Sequence, residues 1–237
     1  MRWLDKSLDR ALRDRIVYPA VRSSLVTRLL GDELIIKVSP HRIRGKLGKY
    51  LQVTEDCTVR CPPWYIFPGN WDIHPLSLEQ APTYRRMLWL IEYRDAYRQS
   101  PEYAELADEI AANSKSLVRK GVCIPSKASS LDDYFERYLG LLKLIERSRK
   151  IPNHGPADVD RHIGVAVGRN GELLLFKKGH HRIALAQMLN CGLIDAKVLG
   201  AHPLWLRERM AGSVRRPAQA LAACIRSLDE APGTIPV

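Results

Sequence analysis

The sequence predicts an α+β domain: a small mixed β-sheet with a Gly-x-x-Arg turn leading from strand into helix, preceded by helical and basic N-terminal elements. Three observations predict it. Residues 162–176 hold two apolar runs on either side of Asn170-Gly171, the signal of a hairpin with a tight turn. Ile183-Ala-Leu-Ala-Gln-Met-Leu189 reads as a helix, and a short strand signal follows at 194–198. Upstream, Tyr84 to Tyr97 is rich in helix formers, and residues 131–149 carry apolar residues at helical spacing.

In chain order, residues 2–17 read as an amphipathic helix, with Leu4, Leu8, Ala11 or Leu12, and Ile16 on one stripe and Pro19 ending it. The stripe suits packing on the body of the protein. Trp3 and the flanking arginines equally suit a helix lying on a membrane surface. Residues 34–38 and 50–54 look like strands, joined by a basic loop from Pro40 to Lys49. The stretch 61–75 is dense in proline and aromatic residues and predicts an ordered irregular segment. Pro82 suits a first helical position, for a helix running through Tyr84 to Tyr97. Ser100-Pro101-Glu102 starts another, towards Ser116. Ser130 and Asp133 form a capping-box-like start for 131–149. The helix from Ile183 is stopped by Asn190-Cys191-Gly192. The expected organisation is a basic region (1–50), an aromatic loop and helical segment (51–150), a core (151–210) and a C-terminal tail (211–237), within one compact domain.

Composition narrows the function. The chain has 237 residues, 46% of them apolar and 27% charged, which is globular rather than disordered. No apolar run approaches the roughly 18 residues of a membrane span. Met1-Arg2-Trp3-Leu4-Asp5-Lys6 lacks the apolar stretch of a secretory signal, so a cytoplasmic protein is expected, with a membrane-peripheral location as the alternative. Cys57, Cys61, Cys123, Cys191 and Cys224 are odd in number and scattered, which predicts reduced, buried thiols rather than a zinc ribbon. The formal net charge is +11, of which +7 lies in residues 1–50. A basic front end implies an anionic partner: nucleic acid, a membrane surface or a phosphorylated ligand.

The residues most suggestive of chemistry are Gly179-His180-His181-Arg182, where a strand gives way to a helix. Unpaired N–H groups and the positive end of the helix dipole favour anions there. Gly179 permits close backbone approach, and Arg182 offers a planar fork to phosphate oxygens. His180 and His181 add donors and acid/base capacity. Lys177 and Lys178 raise the local positive potential. A structural turn is the competing reading.

This motif, after a hairpin and before an alanine-rich helix and a short strand, resembles the ParB/sulfiredoxin superfamily over roughly residues 155–205. The resemblance implies a nucleotide-phosphate site at Gly179–Arg182. Gly-His-His-Arg looks most like the ADP-dependent free-serine kinases. Sulfiredoxins carry a reactive cysteine where His180 stands, so their sulfinic-acid reduction is not expected. Chromosome-partition ParB proteins have Gly-Glu-Arg-Arg, so His181 replaces an arginine. They also continue into a helix-turn-helix reader, which the 55 residues after Arg182 are not expected to form. The serine kinases usually have Asp before the glycine, where this chain has Lys178.

The function expected is nucleotide or phosphate binding with phosphotransfer, by a small-molecule kinase or a nucleotide hydrolase. The cofactor would be ATP, ADP or CTP, with Mg²⁺ if a metal is used, and a small molecule would be the second substrate. Nucleic-acid binding, nuclease-like action and membrane-peripheral binding are the alternatives. Gly179, His180, His181, Arg182 and Lys178 would bind the nucleotide, with His180 assisting catalysis. Phosphoryl transfer also needs an acid to accept a proton or hold a metal. Asp72, in the rigid loop Gly69-Asn70-Trp71-Asp72, is the first candidate, and a turn-capping role is its alternative. Asp158 and Asp160, close to His162, are the second. A metal site joining His162, His180 or His181 and an aspartate is a further variant. His202 and Trp205 either line the pocket or pack in the core. Arg207, Arg209, Arg215 and Arg216 read as a solvated basic face.

Overall fold

The apolar run Ile163-Gly-Val-Ala-Val167 has no polar face to give to solvent, so it belongs in the middle of a sheet covered on both sides. A computed structural model places it there. The structure describes residues 22–47, 50–54, 57–60, 64–113, 117–119, 122–124, 128–153, 162–210 and 217–230. The expected helix at 2–17, Asp158, Asp160, Arg215 and Arg216 lie outside the described residues.

The described elements are helix α1 (Ser23–Leu30), strands β1 (Ile35–Val38), β2 (Ile43–Lys46), β3 (Tyr50–Thr54), β4 (Cys57–Arg60) and β5 (Leu76–Ser77), and helices α2 (Pro82–Glu92) and α3 (Pro101–Asn113). Then come β6 (Leu117–Arg119), β7 (Val122–Ile124), α4 (Ala128–Ser148), β8 (Ile163–Val167), β9 (Leu173–Leu175), α5 (His180–Met188), β10 (Ile194–Ala201), α6 (Pro203–Arg209) and α7 (Pro217–Arg226). Six strands form a mixed sheet in the order β1-β10-β8-β9-β2-β5, and β3–β4 and β6–β7 are separate antiparallel pairs. The architecture is α+β.

β8 pairs antiparallel with β9 and parallel with β10, with Val165 opposite Leu175 and Val198. The connection from β9 through α5 brings β10 back alongside β8. One sheet face, with Ile163, Val165, Val167, Leu173 and Leu175, packs on a large core that includes α2, α4 and α5. The other face, with Ala166, Leu174 and Leu199, packs on Phe67, Trp71 and Phe176. Phe67 and Trp71, from the aromatic segment predicted over 61–75, thus cover the second face: Phe67 lies 4.7 Å from Trp71 and 5.5 Å from Phe176, centroid to centroid.

Several expectations change. The basic loop between the first two strands contains a strand of its own, β2, which pairs parallel with β9. Arg44 and Lys46 hide it in the sequence, and the pairing with Leu173–Leu175 imposes it. The sheet therefore draws on residues 35–46 and 76–77 and is not confined to 151–210. The β8–β9 turn uses one positive φ, at Gly171 (87°), while Asn170 has none. Hydrogen bonds from Gly168 N to Glu172 O and from Gly171 N to Gly168 O make it a three-residue loop. Ser130 lies inside α4, which starts at Ala128, so the capping-box start fails; serine is tolerated in a first turn when the stripe from Leu131 to Ile145 buries. α2 ends at Glu92, before Tyr97.

Other boundaries hold. Ser100 Oγ accepts from the Tyr103 N–H, and Pro101 opens α3. Asn190 (φ 48°) ends α5, with the Cys191 N–H bonded to Ala186 O and the Asn190 N–H to Gln187 O.

Candidate functional site

Gly179 is the N-cap of α5 at φ 99°, a conformation that favours glycine. It packs so closely on β8 that a Cβ there would stand 3.0 Å from Ile163 Cα. The turn is therefore fixed at the N-terminal end of β8, where Gly164 N–H bonds to Lys178 O. The Ile183 N–H returns to Gly179 O, opening a helix with no acidic residue in its first turn. Residues 179–182 are half-buried.

The two halves of the motif point to different neighbours. His181 stacks on Tyr138 of α4, with centroids 4.2 Å apart. Arg182 Nη1 donates to Pro152 O at 3.0 Å, just beyond the end of α4. By contrast, the Lys177 ammonium lies 4.7 Å from the centroid of Phe176, on the aromatic face of the sheet. Lys178 crosses Gly164 on β8, where its Cγ would lie 3.2 Å from an added Cβ. The expected grouping of Lys177 and Lys178 with Arg182 is thus divided between the helical and aromatic sides of the sheet.

Asp72 is not with this turn. Its side chain is fully buried and paired with Arg169 of the hairpin loop. The Arg169 backbone N–H donates to Asp72 Oδ2 at 2.6 Å, and Nε and Nη2 reach both carboxylate oxygens at 2.9–3.1 Å. Arg169 Nη2 also donates to Gly69 O and Asn70 Oδ1, both at 3.0 Å. Burial pushes the Asp72 carboxyl up, but the hydrogen bonds from Arg169 outweigh it, and the group sits below the usual carboxylate range. A carboxylate so engaged has little left for a proton or a metal.

His202 and Trp205 belong to the same end. The His202 N–H bonds to Val167 O, its Nε2–H donates to Gly69 O at 3.0 Å, and its Nδ1 accepts from the Leu204 N–H at 3.1 Å. These partners fix the neutral tautomer, and burial lowers the ring's pKa. His202 is the N-cap of α6, and Trp205 is buried under Gly171. Ile163, against Gly179, and Val167, against His202, stand at opposite ends of β8. The four steps between them span about 13 Å at ~3.3 Å per residue. The sequence-predicted site therefore separates into a turn at one end of the strand and a closed polar clamp at the other.

Among the described residues, no group of three His, Cys, Asp or Glu side chains is placed to hold a metal ion. His162 is buried beside the first residue of β8. Cys191 and Cys224 are buried free thiols, and burial raises both their pKa values. No helix among the described residues is long and apolar enough to cross a membrane. Family models, characterised proteins and solved structures yield no match to this chain.

Sequence reasoning passed over Arg169, which organises the clamp. Its partner lies 97 residues away, and no local pattern announces such a pair. Helix α1 was also unpredicted, although Leu25, Val26, Leu29 and Leu30 have helical spacing.

Proposed function

We propose that the chain binds a nucleotide or another phosphorylated ligand at Gly179-His180-His181-Arg182, and that its sharpest activity is phosphoryl transfer or hydrolysis. The supporting observation is Gly179 itself: a left-handed glycine at the start of α5, between strand and helix, with no side-chain cap and no acid in the first turn. The motif's resemblance to the ParB/sulfiredoxin turn supports the same reading, and Gly179 lies between strand β9 and helix α5.

Asp72 has no part in this reading, since it is engaged by Arg169 at the far end of β8. The acid for transfer would come from the segment before β8, where the sequence has Asp158 and Asp160. His180 remains the candidate to assist, and Mg²⁺ the candidate metal.

A thermal-shift panel of ATP, ADP, CTP, GTP and pyrophosphate, with and without Mg²⁺, tests binding. A ligand at 100 times its Kd adds about 2.7 kcal/mol of stability. For a chain of this size that is a rise of about 5–10 °C in Tm. Arg182→Lys keeps the charge but loses the planar fork, and should reduce the shift. No shift with any member of the panel removes the proposal. Binding without phosphate release or transfer removes the enzymatic part alone.

A further inference from the structure

The His181 ring is held from outside its own helix. It lies on Tyr138 of α4, 4.2 Å centroid to centroid and with 26° between the planes, which is a stacked pair. Tyr138 is only 9% exposed and stands edge-on to Tyr134 at 4.9 Å. Tyr134 is fixed in turn: its hydroxyl accepts from Arg86 Nη1 at 3.1 Å, and Arg86 Nε donates to Glu102. The Arg86 guanidinium also lies 5.9 Å from the centroid of the Tyr134 ring. A line of contacts thus runs from α3 through α2 and α4 to the second residue of α5. The next motif residue is tied to the same side, since Arg182 Nη1 donates to Pro152 O just past the end of α4.

Such a line of contacts has a use beside a ligand. A buried ion pair is a weak source of stability, because desolvation of the two charges offsets their attraction. Arg86 and Glu102 are such a pair, and Arg86 uses it to fix the hydroxyl of a tyrosine. A histidine near a helix start has more than one open rotamer, and freezing one of them on binding lowers affinity. A ring already seated on Tyr138 has lost that freedom in folding, so a ligand finds it in place. Burial pushes the Tyr138 phenol up to about 12, so its ring brings no charge of its own to the turn. We propose that Tyr138 is a positioning residue: its ring holds the His181 imidazole in the orientation in which it meets a phosphate group of the bound ligand. The role rests on the reading of Gly179–Arg182 as a phosphate site.

The test combines calorimetric titration of the full chain with pyrophosphate and with ATP, each with Mg²⁺, and NMR of the chain carrying ¹³C-labelled histidine. Tyr138→Phe keeps the ring and should bind within about twofold of the wild type. Tyr138→Leu removes it and should weaken binding by about three- to tenfold, the worth of one aromatic pair. Leu142→Ala, buried one turn further along α4, should lose stability and keep its affinity, which separates positioning from general loosening of the helix. The His181 Hε1 signal, assigned as the one lost in His181→Asn, should lie upfield from the current of the tyrosine ring in the wild type and in Tyr138→Phe. On addition of pyrophosphate to the wild type it should move and yet stay upfield. A move to the position of an unstacked histidine would mean that the ligand pulls the ring off Tyr138, and this overturns the proposal even if Tyr138→Leu fails to fold. Equal affinities of Tyr138→Leu and the wild type leave the phosphate site standing and overturn the role of Tyr138 alone. So does a loss in Tyr138→Phe as large as in Tyr138→Leu, which would assign the effect to the hydroxyl. If the wild type binds neither probe, the phosphate reading falls and the role of Tyr138 with it.

Discussion

Asp72 and His202 show how much a residue's meaning depends on its partner. Removing one member of a buried ion pair strands the other charge, at a cost of about 3–5 kcal/mol. Arg169 keeps 26% of its side chain in contact with solvent, so the low end applies. Asp72→Asn should therefore destabilise the fold by about 3 kcal/mol in urea denaturation, while leaving any nucleotide-induced thermal shift intact. A lost shift with unchanged stability would return Asp72 to the ligand. The clamp also predicts a pH response. Asp72 is held below its usual range, so its contribution is complete above about pH 4 and is lost as pH falls through the folded pKa. His202 is held below about 6.5, so the unfolded chain binds its proton more readily. Its share of stability is present above that pH and declines below it. His202→Asn keeps an N-cap acceptor for the Leu204 N–H but cannot titrate. Denaturation midpoints between pH 7 and 5 should fall for the wild type and flatten for the variant. Equal slopes would show that the ring's protonation is not linked to folding.

At the level of elements, α5 depends on one glycine. A side chain at position 179 must take a φ of 99° and press on Ile163 at 3.0 Å. Left-handed strain and overpacking together predict a loss of about 2–4 kcal/mol for Gly179→Ala. Gly192 has open space and no positive φ, so Gly192→Ala should be neutral or stabilise by up to about 1 kcal/mol. Comparable losses at the two sites would mean that the turn is not specially constrained. The α5 unit was legible in the sequence because its signals are local: two apolar runs, a turn, a glycine, then alanine-rich helix. β2 was not, because Ile43-Arg-Gly-Lys46 has no strand pattern and becomes a strand only through its pairing with β9. Gln187 of α5 reinforces that register by donating to Pro40 O and Ile43 O. The candidate turn could be read from its own four residues. Its separation from Asp72 could not, since that follows from where β8 begins and ends.

Over the whole molecule, the segment after α7, expected to be a tail, closes the sheet. β1 lies at one edge, and an edge strand offers unpaired backbone groups to any neighbouring chain. Here Lys37 N–H donates to Asp229 Oδ1 and Ser39 N–H to Glu230 Oε2, both at 2.7 Å, while Glu230 N–H returns to Lys37 O. Arg42 adds hydrogen bonds to Leu228 O and Glu230 Oε1. The opposite edge is guarded differently, by β5, only two residues long. Asp229→Ala with Glu230→Ala removes both carboxylate acceptors from backbone donors, each worth about 1.5–3 kcal/mol as a charged hydrogen bond, less where solvent replaces it. The double variant should lose about 2–3 kcal/mol and associate at high concentration, detectable by light scattering. Glu33→Ala breaks the Arg226–Glu33 pair, whose side chains are 58% and 52% exposed, and should cost less than about 1 kcal/mol with no association. If the double variant behaves like Glu33→Ala, the edge is protected by something other than the C-terminal segment. If it associates, Asp229 and Glu230 are what keep the β1 edge from pairing with a neighbouring chain.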